Sequence, residues 1–167
     1  MTDITDNPCI GCATNQGCCT RLSGLMLTED EFSSVFAGRE DELEVKRSCN
    51  VVIITPKDGG ACPHWRDGGC SIYQRRPIDC RLHPYMMTHI IQRRNSVKIT
   101  YHNINDCPRR DMLMTEADAG ALVKEFGKKA YGEDRTIVAQ CESGKVTRLL
   151  NRLEESMSDP RFNIHGD

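Results

Sequence analysis

The chain has 167 residues, 38% of them apolar, with 22 basic and 24 acidic side chains and a formal net charge of −2. That length fits one domain, and the near balance of charge leaves no overall field to draw in nucleic acid or a membrane surface. No apolar run approaches the ~20 residues of a transmembrane helix, and the start, MTDITDNP, lacks the basic and apolar regions of a secretory signal. The expected home is a reducing cytoplasm, where a cysteine set reads as metal-binding or catalytic, with a disulfide framework as the lesser alternative.

Residues 1–24 are punctuated by Gly11, Gly17 and Gly24 and read as turns around a first cysteine cluster. Thr28, with Glu31 three places on, is a capping-box pattern. Phe32, Val35 and Phe36 at helical intervals before Gly38 predict a helix over about 29–37. The charged stretch 39–48 reads as loop or frayed helix. VVIIT at 51–55 is β-branched and ends at Pro56, which predicts a strand. KDGGACPHWRDGGC reads as loop, and Pro77 suits a first helical turn or a tight turn. Met86–Gln92 and Ser96–His102 predict two strands turning near Arg94–Asn95, and with 51–55 they would make a small antiparallel sheet.

Thr115 can cap a helix beginning at Glu116, with Ala121, Leu122, Phe126 and Ala130 on its buried face. A helix between Asp134 and Cys141 is a further expectation. Another fits 144–157, where Val146, Leu149, Leu150, Leu153 and Met157 recur at spacings of three and four. The tail DPRFNIHGD reads as extended or disordered. The expected fold is α+β: residues 1–112 form a cysteine-cluster region and 113–167 a helical region packed on it, one domain overall.

Eight of the ten cysteines fall into two clusters that no hydrophobic core needs. Cys9, Cys12, Cys18 and Cys19 form the first; Cys62, Cys70 and Cys80, followed by Cys107, form the second. Sulfur is the soft ligand that holds zinc and iron–sulfur centres. A CxxC turn such as CIGC lets two thiolates converge on one ion, but a zinc ribbon needs a second CxxC about 15–20 residues on. This chain has none. Adjacent cysteines such as Cys18 and Cys19 are expected to point apart, and single cysteines feeding one centre from several loops are more typical of iron–sulfur clusters. Eight thiols could fill two four-cysteine sites.

The string CPHWRDGGCSIYQRRPIDCRLHP resembles the signature of the YkgJ-type cysteine-cluster family of zinc- or iron-chelating domains. The matching positions are Cys62, Cys70, Ile72, Tyr73, Arg76, Pro77, Cys80, Arg81 and Pro84, together with the first cluster and Cys107, over about residues 8–110. Two departures stand out: a longer spacer between Cys12 and Cys18, and His83 where the family places an aromatic residue. Flagellin lysine methylases are similar in the cysteine motif and are read as iron–sulfur proteins. The resemblance therefore implies an iron–sulfur cluster, [4Fe–4S], held by the eight cysteines, with zinc as the competitor.

Arg76 and Arg81 flank Cys80, where guanidinium groups would offset cluster charge and donate hydrogen bonds to sulfur; loop ion pairs with Asp79 or Asp67 are the bland alternative. His64 and His83 could ligate through neutral imidazole, although a solvent-facing or capping role is the commoner fate. His89, His102 and His165 carry no spacing signal. Cys49 and Cys141 read as small apolar residues. The pairs Arg75–Arg76, Arg93–Arg94 and Arg109–Arg110 read as solvated surface charge. Two roles compete: an enzyme whose cluster acts in redox or group-transfer chemistry on a protein or small-molecule partner, and a zinc-stabilised interaction module without catalysis.

Overall fold

The computed structural model describes residues 9–10, 12, 17–22, 24–48, 50–104, 107 and 114–142. Four helices and eight strands run in the order α1 (Gly17–Thr20), β1 (Leu25–Leu27), α2 (Glu29–Val35), β2 (Leu43–Ser48), β3 (Val51–Pro56), β4 (Trp65–Arg66), β5 (Gly69–Cys70), α3 (Ile78–Leu82), β6 (Tyr85–Gln92), β7 (Ser96–Asn103), α4 (Glu116–Tyr131) and β8 (Thr136–Cys141). The α+β class follows as expected.

The strands form a three-stranded sheet β1–β3–β2, a hairpin β4–β5 and a second three-stranded sheet β6–β7–β8. The first sheet is antiparallel throughout. In the second, β6 and β7 are antiparallel while β8 runs parallel to β7. A parallel neighbour requires a crossover connection, and α4 supplies it.

Three expectations are corrected here. The strand 51–55 does not join 86–92 and 97–102; β3 is the centre of its own sheet. Its apolar run is covered on both faces, because Val52 and Ile54 enter one core while Val51 and Ile53 pack against the other. Periodicity shows such double coverage but not the identity of the flanking strands.

The stretch 39–48 is a single 3₁₀ turn at Glu40–Glu42 followed by the edge strand β2. Glu44, Lys46 and Arg47 are exposed along it, charges that guard a sheet edge and hide its strand character. The segment 134–141 is β8 rather than helix. Ile137, Ala139 and Cys141 pack against the core while Thr136, Val138 and Gln140 face out, the period of two that defines a strand.

Helix α4 begins at the expected cap, where Thr115 accepts from the Asp118 N–H at 3.2 Å. Its buried stripe is Ala119, Val123, Phe126 and Tyr131; Ala121 is exposed, so the helix is rotated from the expected face. A Cβ at Gly127 would meet Ile137 Cγ2 at 2.5 Å, so the helix lies directly on β8 only because that position is glycine. The expected helix over 144–157 and the tail after it lie outside the described residues, as do Cys49, Arg109, Arg110 and His165.

Helix α3 stands where the two cores meet. Ile78 and Leu82 enter the core of β6, β7 and α4, while Cys80 packs against the core of β1, β3 and α2. Glu31 fixes it there. One carboxylate oxygen accepts from the Thr28 N–H at 3.1 Å and closes the capping box of α2; the other accepts from the Ile78 N–H at 2.8 Å and caps α3. One side chain thus satisfies orphan donors at two helix starts.

Glu31→Ala is expected to lower unfolding free energy by about 2–3 kcal/mol, roughly two lost caps. Glu29→Ala, which breaks only the exposed 3.1 Å pair with Arg47, should cost at most about 0.5 kcal/mol. Urea denaturation of the two variants compares them directly.

Candidate metal centre

Each cysteine is placed by a local backbone device. Cys9 and Cys12 bracket a turn closed by the Cys12 N–H on the Cys9 carbonyl at 3.1 Å. Cys18 and Cys19 ride on the single turn of α1, and their sulfurs lie 3.9 Å apart. Adjacent residues were expected to point apart; this pair instead faces one space. The Cys62 N–H donates to the Cys19 carbonyl at 2.8 Å, which ties the first cluster to the second.

Trp65 pairs with Cys70 across the β4–β5 hairpin, and the Trp65 N–H bonds the Cys62 carbonyl at 2.8 Å. The hairpin turns at Asp67 and Gly68, both with positive φ. An Asp-Gly pair is the residue pair such a two-residue turn prefers. This hairpin carries Cys70 back beside Cys62, and the Asp-Gly step inside the expected loop was the signal for it. Cys80 is set by α3. Cys107 hangs from Ile104, whose own N–H is held by the Pro84 carbonyl at 2.7 Å.

Six of the eight expected ligands, Cys9, Cys18, Cys19, Cys62, Cys70 and Cys80, line one cavity of about 200 Å³. Cys12 and Cys107 are off its wall but act electrostatically on Cys9. Apolar side chains including Leu25, Phe36, Ile72, Tyr73 and Tyr85 complete the lining. Among the described residues no three cysteine, histidine or acidic side chains stand at metal-ligand spacing; the thiols surround a space rather than meet at a point.

Burial raises the thiols of Cys9, Cys62 and Cys70, and raises Cys80 furthest of these. Neighbouring thiols add to the effect, since each thiolate repels the next. Backbone donors oppose it: the N–H groups of His64 and Trp65 at Cys62, and that of Ile72 at Cys70. Cys18 goes the other way, lowered to about 7 because its hydrogen bond with the Cys19 sulfur favours the thiolate, against the effect of burial. Cys19 is correspondingly raised.

Arg76 supplies positive charge to this space. Its guanidinium carbon lies 3.6 Å from the Tyr73 ring centroid, and its Nε–H donates to the Tyr73 carbonyl at 2.9 Å. From there it favours the thiolates of Cys9, Cys18, Cys70 and Cys80. Arg81 is elsewhere: it lies at the surface, 4.0 Å from Glu125, with both side chains about two-fifths exposed. The expected partners Asp79 and Asp67 are taken by neither arginine in these contacts.

His83 lines the cavity. Burial, then Arg76, lowers its pKa and favours the neutral ring. His64 is buried off the cavity, with Nε2 2.8 Å from the Val35 carbonyl and its ring against Phe36. That is the capping role, at the end of α2.

Asp79 was not singled out from the sequence as a site residue. Its Oδ2 accepts from the Met26 N–H at 2.9 Å, while Oδ1 is sealed from solvent and makes no hydrogen bond of good geometry, although the Met87 N–H is near enough to favour the charged carboxylate. Burial lifts its carboxyl to about 7. A carboxylate beside a cysteine in sequence gives no signal of such burial. Cys141 packs against the second sheet's core, well apart in role from the cavity set.

The residues present fit a soft cation. A cavity walled by buried thiols cannot charge them unaided, and a bound cation would reverse that cost by drawing off their protons. Backbone N–H groups aimed at sulfur are the donors that metal thiolates use. An α+β domain whose loops bring cysteines from four segments to one cavity belongs to the class of cysteine-cluster metal chelators. A family model described as "CxxCxxCC: Putative zinc- or iron-chelating domain" matches residues 8–108, and the chain belongs to that family. Comparison with curated proteins and with solved structures found no match. Among the described residues no helix is long and apolar enough to cross a membrane.

Arg76→Ala should lower the amount of metal retained after gel filtration several-fold, because the buried thiolates lose their fixed counter-charge. Arg81→Ala should retain the wild-type amount. Metal analysis of the two purified variants checks this.

Proposed function

We propose that the eight cysteines hold iron–sulfur chemistry, with a [4Fe–4S] cluster that acts in a redox or group-transfer reaction. The observation that carries this reading is the cavity: six thiols surround room, and that room is also lined by Arg76, Asp79 and His83. A closed structural zinc site has four sulfurs about 3.8 Å apart around one ion at ~2.3 Å and leaves no such space. A polynuclear core brings its own bridging atoms and suits thiols set wider apart.

When bound, the cluster supplies one-electron transfer or an iron site for a substrate. The chain's own residues do the rest. The apolar wall excludes water, Arg76 balances negative charge, and neutral His83 offers a nitrogen lone pair or an N–H donor. The partner is then a protein segment or small molecule able to reach this space, and thiols of this kind persist in a reducing cytoplasm.

A zinc-stabilised module without catalysis is the second reading. It is favoured by the Cys18–Cys19 separation of 3.9 Å, close to the sulfur spacing of a tetrahedral zinc site.

Anaerobically purified protein is expected to be brown, with iron and acid-labile sulfide in equal amounts. Colourless protein holding stoichiometric zinc from the same preparation would sink the iron–sulfur reading. Cys62→Ser, Cys70→Ser and Cys80→Ser should each lose metal and stability, since ligation is coupled to folding. Cys141→Ser should keep the full content.

A further inference from the structure

Tyr73 holds Arg76 twice. The guanidinium carbon lies 3.6 Å from the centre of the Tyr73 ring, and the Arg76 Nε–H donates to the Tyr73 carbonyl at 2.9 Å. The backbone adds a third restraint. Tyr73–Arg75 is a 3₁₀ turn, closed by the Arg75 N–H on the Ile72 carbonyl at 2.8 Å. Arg76 itself is extended, with φ −59° and ψ 140°, the conformation favoured before a proline, here Pro77. Helix α3 follows at once from Ile78. Both ends of the Arg76 side chain are therefore placed by residues 72–77, between Cys70 on β5 and Cys80 on α3.

Arg39, Arg47 and Arg81 each lie within 4.0 Å of a glutamate, whereas Arg76 meets no carboxylate among the described residues. Tyr73 and Arg76 both stand on the wall of the cavity that six cysteines line. A long cationic side chain without an acid ordinarily carries its head out to water. The stacked ring and the backbone acceptor keep this one at the wall. The ring also shields one face of the guanidinium from solvent, and the attraction between ring and cation strengthens as water is removed.

We propose that Tyr73 is a positioning residue for the metal centre: its ring and its carbonyl clamp Arg76 as a fixed positive charge against the sulfur-lined cavity. The clamp presupposes metal on the thiols but not which metal. A cation held by several thiolates carries net negative charge, and a guanidinium at a fixed distance offsets it where water is excluded. Arg76→Lys keeps the charge but has neither the planar face nor the Nε–H, so it cannot be held in the same way.

The test is release of metal to excess EDTA from anaerobically purified wild type, Tyr73→Phe, Tyr73→Leu, Arg76→Lys, Arg76→Ala and the double variant Tyr73→Leu with Arg76→Ala. Tyr73→Phe keeps ring and carbonyl and should stay near wild type. Tyr73→Leu and Arg76→Lys should each release metal several-fold faster and approach Arg76→Ala. Adding Tyr73→Leu to Arg76→Ala should change nothing further, since the ring then has no guanidinium to hold. Where the metal is iron, Tyr73→Leu should also lower the midpoint potential, by about 59 mV for each tenfold in the one-electron equilibrium, and Tyr73→Phe should not. Wild-type behaviour of Arg76→Lys would show that charge alone suffices and overturn the clamp. The same faster release from Tyr73→Leu with and without Arg76, the mark of plain packing, would overturn it too. Should Tyr73→Leu fail to fold, Arg76→Lys against wild type still decides. Wild-type protein without any metal would instead defeat the metal reading itself.

Discussion

Two carboxylates hold the molecule's halves in register, and the cavity exists because they do. Glu31, on α2, reaches across to the Ile78 N–H at the start of α3. Asp79, on α3, reaches back to the Met26 N–H of β1. Each group satisfies a backbone donor that the other element would leave unpaired, and an unpaired buried N–H costs about 1–3 kcal/mol. The exchange is reciprocal, so α3 can neither slide along β1 nor rotate on its own axis without breaking one of the bonds. Ile78 and Leu82 stay in one core, and Cys80 stays against the other. The remaining thiols are then brought to Cys80 by turns and a hairpin, none of which has much apolar surface of its own.

Much of this frame was legible in residue order, and the failures have physical causes. The capping box Thr28–Glu31 and the cap at Thr115 were readable because they are local: donor and acceptor lie within four residues. The long reach of Glu31 to Ile78 was not, because capping of a second helix depends on tertiary placement. Strands β2 and β8 were hidden for opposite reasons. Charges mask the edge strand β2, whereas β8 is short and mixed enough to read as either period. The Asp67–Gly68 hairpin was in plain sight but was absorbed into a glycine-rich loop.

For the site, residue type and spacing identified the six cavity cysteines and Arg76. They could not separate Arg76 from Arg81, which differ by which way one short helix turns them. Nor could they find the buried Oδ1 of Asp79, since burial is a property of packing and not of sequence neighbours. His83 was noticed as a departure from a motif; its place on the cavity wall gives that departure a chemical meaning.

The chemistry of sulfur reconciles a lean core with a stable fold. A protonated thiol behaves as a small apolar side chain, and in that state Cys62 and Cys80 simply extend the core of β1, β3 and α2. Burial favours that state. A bound cation would turn the same side chains into charged ligands, and the apolar cavity into a cross-link between loops. The two hydrophobic cores therefore do not need the metal to explain their packing. Cys9, Cys12, Cys18 and Cys19 sit on a turn and a single helical turn, and among the described residues the Cys62 N–H on the Cys19 carbonyl ties them to the rest of the cysteine set. Metal bound in the cavity would then act most strongly on the turns that carry Cys9, Cys18 and Cys19, joining them to the wall that α3 and its two carboxylate contacts position.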